Sequence, residues 1–122
     1  MKQIIFTEKA PAAIGPYSQA VLSNGTLYVS GQIALALVEI GATIEDETRQ
    51  VMKNMKAILE AANMNFEHVV KCTIFVKDMN NFAAINGVYG EYFTTDPPAR
   101  ETVEVARLPK DVNVEISCIA VI

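Results

Sequence analysis

Apolar residues along this chain recur at two periods, and each change of period marks a change of element. Thr48, Val51, Met52, Met55, Ile58, Leu59 and Ala62 recur at spacings of three and four, which makes one apolar face of a long helix. Thr43 with Asp46 three residues on resembles a capping box at its start, and Asn63 marks its end. Elsewhere the pattern is that of strands. Lys2–Phe6 reads as a short strand and Lys9–Gly15 as a loop. Tyr17–Leu22 and Thr26–Ile33 read as two strands joined by Ser23-Asn24-Gly25, whose Asn-Gly is a strong hairpin signal. His68–Lys77 is a strand rich in β-branched residues. Asp78 can cap a second helix that turns Phe82, Ile85, Tyr89 and Tyr92 or Phe93 inward. Gly87 and Gly90 weaken this helix and predict a close neighbour, and Pro97-Pro98 stop it. Arg100–Arg107 and Val112–Ile122 are the last two strands, around a Leu108–Asp111 turn that carries Pro109. Ala34–Gly41 is apolar enough for more strand but has no turn signal before Gly41, so its class stays open.

This order predicts an α+β domain in which helices cover one face of a mixed sheet. Val29, Val103, Val105, Val114 and Ile116 are more than the helices can hide, so the other face needs a partner. Parity divides the last two strands if Leu108 and Asp111 form a rung. Arg100, Thr102 and Glu104 then share a face with Asn113, Glu115 and Ser117, while Val103 and Val105 share the other with Val114 and Ile116. Glu115 would lie about 13 Å from Arg100 on that shared face.

Composition narrows the class. The 122 residues are 51% hydrophobic and 20% charged, the balance of one ordinary globular domain spanning 1–122. A net charge of −4 and scattered lysines argue against a nucleic-acid partner. Cys72 and Cys118 sit in apolar strand-like runs and read as buried free thiols of a reducing compartment rather than a disulfide. With His68 the only histidine and no Cys-x-x-Cys, no metal site is expected. The first residues lack the form of a signal peptide, and no apolar run is long enough to cross a bilayer. The expectation is a cytoplasmic protein with no membrane partner.

The candidate chemistry is sparse. Arginine occurs only at 49, 100 and 107. Arg100 follows the stiff Pro97-Pro98 pair, which suits either a bidentate carboxylate clamp or a solvated strand-edge residue. Glu115, between Val114 and Ile116, is either a solvated outer-face residue or a positioned acid/base. Tyr17-Ser18 follows the rigid Gly15-Pro16. Ser30-Gly31-Gln32 has a glycine that lets a ligand reach backbone amides, though both stretches also read as ordinary turn and strand-edge residues.

Six stretches together are more specific. GPYSQA (Gly15–Ala20), YVSGQIAL (Tyr28–Leu35), TRQVMKNMKAILEAA (Thr48–Ala62), PAR (Pro98–Arg100), EVARLPKDVNVEI (Glu104–Ile116) and the terminal IAVI resemble the Rid, or YjgF-like, family in family order. The resemblance is nearest the RidA branch of enamine/imine deaminases. It implies a six-stranded mixed sheet with two helices packed on one face, similar to chorismate mutase-like domains, assembled as a homotrimer with small-molecule clefts at the interfaces. The implied reaction is cofactor-free hydrolysis of 2-aminoacrylate, its four-carbon homologue and their imines to 2-keto acids and ammonia. By matching position, Arg100 would hold the substrate carboxylate and Glu115 would orient or deprotonate the attacking water. Tyr17, Ser30, Gly31, Phe82 and Asn86 would line the cleft. Thr102, where many members of the branch carry a cysteine, would contribute a hydroxyl to it. The competing reading is a non-catalytic trimeric binder or sensor of 2-keto acids, which needs Arg100 but not Glu115. A ribonuclease role, long attached to the family, has no support in the acidic balance, and a chaperone-like role leaves no mark in the sequence.

Overall fold

The computed structural model describes residues 1–122. Nine elements follow in order: β1 (Lys2–Ile5), β2 (Ala20–Ser23), β3 (Thr26–Gln32), α1 (Leu35–Glu39), α2 (Ile44–Ala61), β4 (Val69–Val76), α3 (Phe82–Gly90), β5 (Ala99–Glu104) and β6 (Val114–Val121). The strands form one six-stranded mixed sheet in the order β1-β2-β3-β6-β4-β5. Only the β4–β5 pair is parallel.

α2 forms where the helical period predicts it. Thr43 caps it, its Oγ1 accepting from the Asp46 amide at 3.1 Å. Val51, Met52, Met55, Ile58 and Leu59 are fully buried against the sheet, each worth about 1.5–3 kcal/mol of transfer free energy. Asn63 ends the run in the left-handed region at φ 59°. The Asn24-Gly25 turn joins β2 to β3 with both residues at positive φ, 51° and 77°. Ala34–Gly41 proves to hold the short helix α1, not more strand.

Two other expectations are corrected. α3 ends at Gly90, well before Pro97, so the prolines do not stop it. Nothing packs close to Gly87 or Gly90, since a Cβ on either would meet no atom within 4 Å. Val29, Val114 and Ile116 lie beneath the helices while Val103 stays exposed, so the five are not all hidden, as the sequence predicts.

The largest correction concerns the last two strands. β5 and β6 do not pair. β5 runs parallel to β4, reached by a crossover through α3, and β6 then inserts between β3 and β4. Arg100 and Cys118 both stand opposite Cys72, which puts Arg100 and Thr102 on the helix-covered face with Ile116. Glu115 stands opposite Phe75, which stands opposite Val103, on the other face. The polar and apolar faces expected from hairpin parity therefore do not exist.

Cys72 and Cys118 are buried free thiols facing each other across β4 and β6. The start of β6 is fixed by Glu47 of α2, which is 1% exposed. Its two carboxylate oxygens accept from the Asn113 backbone amide at 2.9 Å and side-chain amide at 2.7 Å. The sheet face away from the helices stays open, with Ile4, Tyr28, Val103 and Val121 all exposed. No helix is long and apolar enough to cross a membrane.

Candidate functional site

The predicted site residues fall into two clusters. The first is built where β5 leaves the prolines and passes α3. Phe82, Asn86 and Tyr89 recur at four and three residues, so they share one stripe of α3. Arg100 lies against that stripe. Its Cζ sits 5.0 Å from the Tyr89 ring centre and 5.7 Å from that of Phe82, close enough for cation–π attraction to both rings. Its Nη1 donates to Asn86 Oδ1 at 2.6 Å. No carboxylate pairs with it, whereas Arg49 is paired with Asp46 and Glu91. Most of the guanidinium's five N–H donors therefore remain available to a ligand.

Two hydroxyls sealed from solvent close this cluster: Thr102 Oγ1 has no hydrogen-bond partner, and Tyr89 Oη has only the weakly bonding Cys72 thiol beside it. Burial, the main cause, pushes the Tyr89 hydroxyl well above the usual phenol range. Burial likewise raises the Cys72 thiol, opposed by the hydrogen bond to Tyr89 and by the charge of Arg100. Both groups are neutral at ordinary pH, so Arg100 is the one charge here. The arrangement suits a single anion. Tyr89 was legible in the sequence only as an inward-facing helix residue; its place beneath Arg100 depends on the parallel pairing of β5 with β4.

The second cluster gathers Tyr17, Ser30, Gly31 and Glu115. A bulge interrupts β3 between Val29 and Gln32 and places Gly31 against β6. A Cβ on Gly31 would land on the Glu115 carboxylate, so a larger residue there displaces that side chain from its present place. Glu115 accepts no hydrogen bond from the protein, and burial pushes its carboxyl above the usual range. Ser30 Oγ donates to the Ser18 carbonyl at 2.6 Å and its amide to the Gln19 carbonyl at 2.9 Å, tying the preceding loop to β3. Tyr17 is held by its amide on the Gly15 carbonyl at 2.9 Å, while its hydroxyl accepts from the Ile14 amide at 3.3 Å. Its ring stays exposed.

Arg100 and Glu115 do not meet within one copy. They stand three residues apart along β4 and two strands apart across it, about 14 Å between backbones, on opposite faces of the sheet. One cluster offers an anion clamp and the other a carboxylate whose proton affinity is raised.

Comparison with known proteins bears on the family and on the fold. The family model described as Endoribonuclease L-PSP matches residues 7–122. Reactive Intermediate Deaminase A, chloroplastic, of Arabidopsis thaliana is 45% identical over 123 residues, covering 98% of this chain and 65% of that protein. Among solved structures, YyfA of the conserved Rid protein family from Yersinia pestis superimposes with a TM-score of 0.92 at 47% identity, over 100% of both chains. E. coli TdcF with bound serine superimposes with a TM-score of 0.91 at 44% identity, over 98% of both chains.

Proposed function

The chain belongs to the Rid (YjgF-like) family, and from that premise we propose that it is a cofactor-independent deaminase of the RidA kind. It hydrolyses 2-aminoacrylate, 2-aminocrotonate and their imines to 2-keto acids and ammonia. The observation that carries this reading is the division of labour between the two clusters. Arg100 has free donors and no counter-charge, and Glu115 has a raised proton affinity and no partner. Because they face opposite ways in one copy, the working cleft is formed where two copies of the chain meet, in a homotrimer. The exposed Ile4, Tyr28, Val103 and Val121 on the face that carries Glu115 support such an assembly. The serine held by the TdcF structure supports a small ligand with a carboxylate.

In the proposed reaction Arg100 binds the substrate carboxylate through two parallel N–H···O bonds, and Asn86, Phe82 and Tyr89 keep the fork aimed. The enamine tautomerises to the imine. Water oxygen bonds to the imine carbon while the C=N π electrons move to nitrogen, and Glu115 takes the water's proton. That proton returns to nitrogen to complete the neutral carbinolamine; its hydroxyl proton then passes to nitrogen as well, the O–H electrons form the C=O bond, and the C–N bond breaks with its electron pair on nitrogen, which releases ammonia and leaves the keto acid. Neither oxidation nor reduction occurs. The imine is already electrophilic, so positioning and one acid/base group suffice.

The test couples the protein to a serine or threonine dehydratase and follows keto-acid release above the spontaneous rate. Faster release is expected, lost in Glu115→Gln while pyruvate binding is kept. Keto-acid binding with no acceleration by the wild type would favour the binder reading. Mixing Arg100→Ala with Glu115→Gln subunits tests the shared cleft, since about a quarter of randomly formed interfaces regain both groups. No recovery on mixing would mean that the cleft is not shared.

A further inference from the structure

α2 packs on β3 and β6, the strands that carry Gly31 and Glu115. Its inner face is mostly apolar, yet Glu47 and Asn54 are buried in it, 1% and 2% exposed. Burying a polar group is costly unless it is bonded, and each of these is bonded to a strand backbone. Glu47 accepts from the backbone and side-chain amides of Asn113, two residues before Glu115. Asn54 donates through Nδ2 to the Ile33 carbonyl at 3.2 Å, two residues after Gly31. Glu47, Gln50 and Asn54 recur at three and four residues, so they share one stripe of the helix. Gln50 Nε2 donates to Asn54 Oδ1 at 2.9 Å, which turns the Asn54 amide towards Ile33. Between the two anchored points lies the β3 bulge, where buried Gln32 donates to the Ser30 carbonyl at 3.0 Å and then pairs with Ile116.

From this geometry we propose that Glu47 and Asn54 are positioning residues. They make α2 a splint that holds β6 and β3 in the one register that sets the Glu115 carboxylate against Gly31. The inference rests on the deaminase reading above and adds the residues that place its acid/base group. The apolar part of the helix face cannot do this alone. Burial of Leu and Met side chains has no direction, whereas a bond to one amide or one carbonyl selects one offset of helix on strand. Glu115 makes no bond of its own, so its place depends on where its backbone is held. Both anchors act through that backbone, one on each side of the Gly31–Glu115 contact.

The experiment measures turnover of freshly generated 2-aminoacrylate, well below each protein's Tm, in Glu47→Met and Asn54→Leu, which keep the volume and drop the bonds. Each is expected to lose about tenfold or more in kcat at unchanged KM, because the clamp at Arg100 stays whole while the base is misplaced. The acidic limb of the kcat/KM profile is expected to move down by at least about half a pH unit, since a displaced Glu115 meets water and loses the burial that raises its proton affinity. Glu47→Gln can still accept from the Asn113 amide and donate to its side-chain oxygen, so it is expected to keep the limb in place and kcat within about threefold. An unmoved limb in both bond-breaking variants, whatever happens to Tm, makes the bonds structural only and overturns the proposal. A Gln variant as damaged as Glu47→Met traces the effect to the lost carboxylate and overturns it too. If neither bond-breaking variant folds, Gln50→Met, at a half-buried position, decides. It frees the Asn54 amide, so a downward shift of the limb upholds the proposal and an unchanged profile overturns it. If the wild type does not hydrolyse 2-aminoacrylate, the deaminase reading falls instead, and carbon-13 NMR titration of the Glu115 carboxyl decides the positioning by itself. A lower pKa in the bond-breaking variants than in the wild type upholds it, and an equal one overturns it.

Discussion

The two clusters hold opposite charges by opposite means. Arg100 is made comfortable: two aromatic faces and the Asn86 carbonyl surround a cation that keeps its charge in every plausible environment. Glu115 is made uncomfortable: partly withdrawn from water and given no donor, it holds its proton more tightly than a free carboxylate. A binding group gains from the first treatment, because it must be aimed and ready. An acid/base group gains from the second, because its proton affinity must approach the working pH.

That contrast is broken most severely at the clamp. Arg100→Ala is expected to lower kcat/KM by on the order of 10²–10⁴, the equivalent of about 3–5 kcal/mol for a broken buried charge pair. Near-normal turnover of freshly generated 2-aminoacrylate would count against its role. Gly31→Ala comes next. The added methyl claims the position of the Glu115 carboxylate, so either the side chain or the bulge must move. Turnover should fall at least tenfold and stability by about 1–3 kcal/mol, read by the assay and by denaturant melts. A variant with wild-type turnover would mean that the carboxylate is not needed where it stands.

The pH dependence sharpens the comparison at the other cluster. In the proposed reaction Glu115 is a base only when ionised, so kcat/KM should fall as pH drops through its raised pKa, above the free-carboxylate value of about 4.3. Stability should run the opposite way. A raised folded-state pKa means that ionisation opposes folding, with a penalty absent below the unfolded pKa and complete above the folded one. Glu115→Gln should therefore raise Tm at neutral pH and leave it unchanged near pH 3, which thermal melts at the two pH values would read. The smallest effect belongs to Tyr89→Phe. It removes a hydroxyl whose one protein neighbour is the weakly bonding Cys72 thiol but keeps the ring under Arg100, so kcat/KM should stay within about threefold and stability should change little. A large loss would mean that the hydroxyl bonds the substrate.

Where local chemistry decides an outcome, the sequence was legible. The α2 stripe, its Thr43 cap, the Asn24-Gly25 turn and the burial of both cysteines follow from neighbours a few residues apart. The pairing of Gly31 with Glu115 was hidden because a bulge shifts the register there and leaves no reliable mark in the residues. Strand order was hidden more deeply. A chain of two strands and a short turn reads as a hairpin, and nothing between Glu104 and Val114 states that β6 will pass over β5's neighbour and insert beyond it. That single misplacement put Arg100 and Glu115 on one face when the sheet separates them. The buried pair of Glu47 with Asn113 was missed for the same reason, since its partners are 66 residues apart. For Ala34–Gly41 the apolar run was too short for periodicity to separate helix from strand.

The margin of the sheet at β5 has a consequence of its own. Its outer backbone groups are unpaired, yet exposed Glu101 and Glu104 flank them and two prolines precede them. Charges and missing amides of this kind repel an incoming strand. This edge is thereby protected from sideways zippering into endless ribbons.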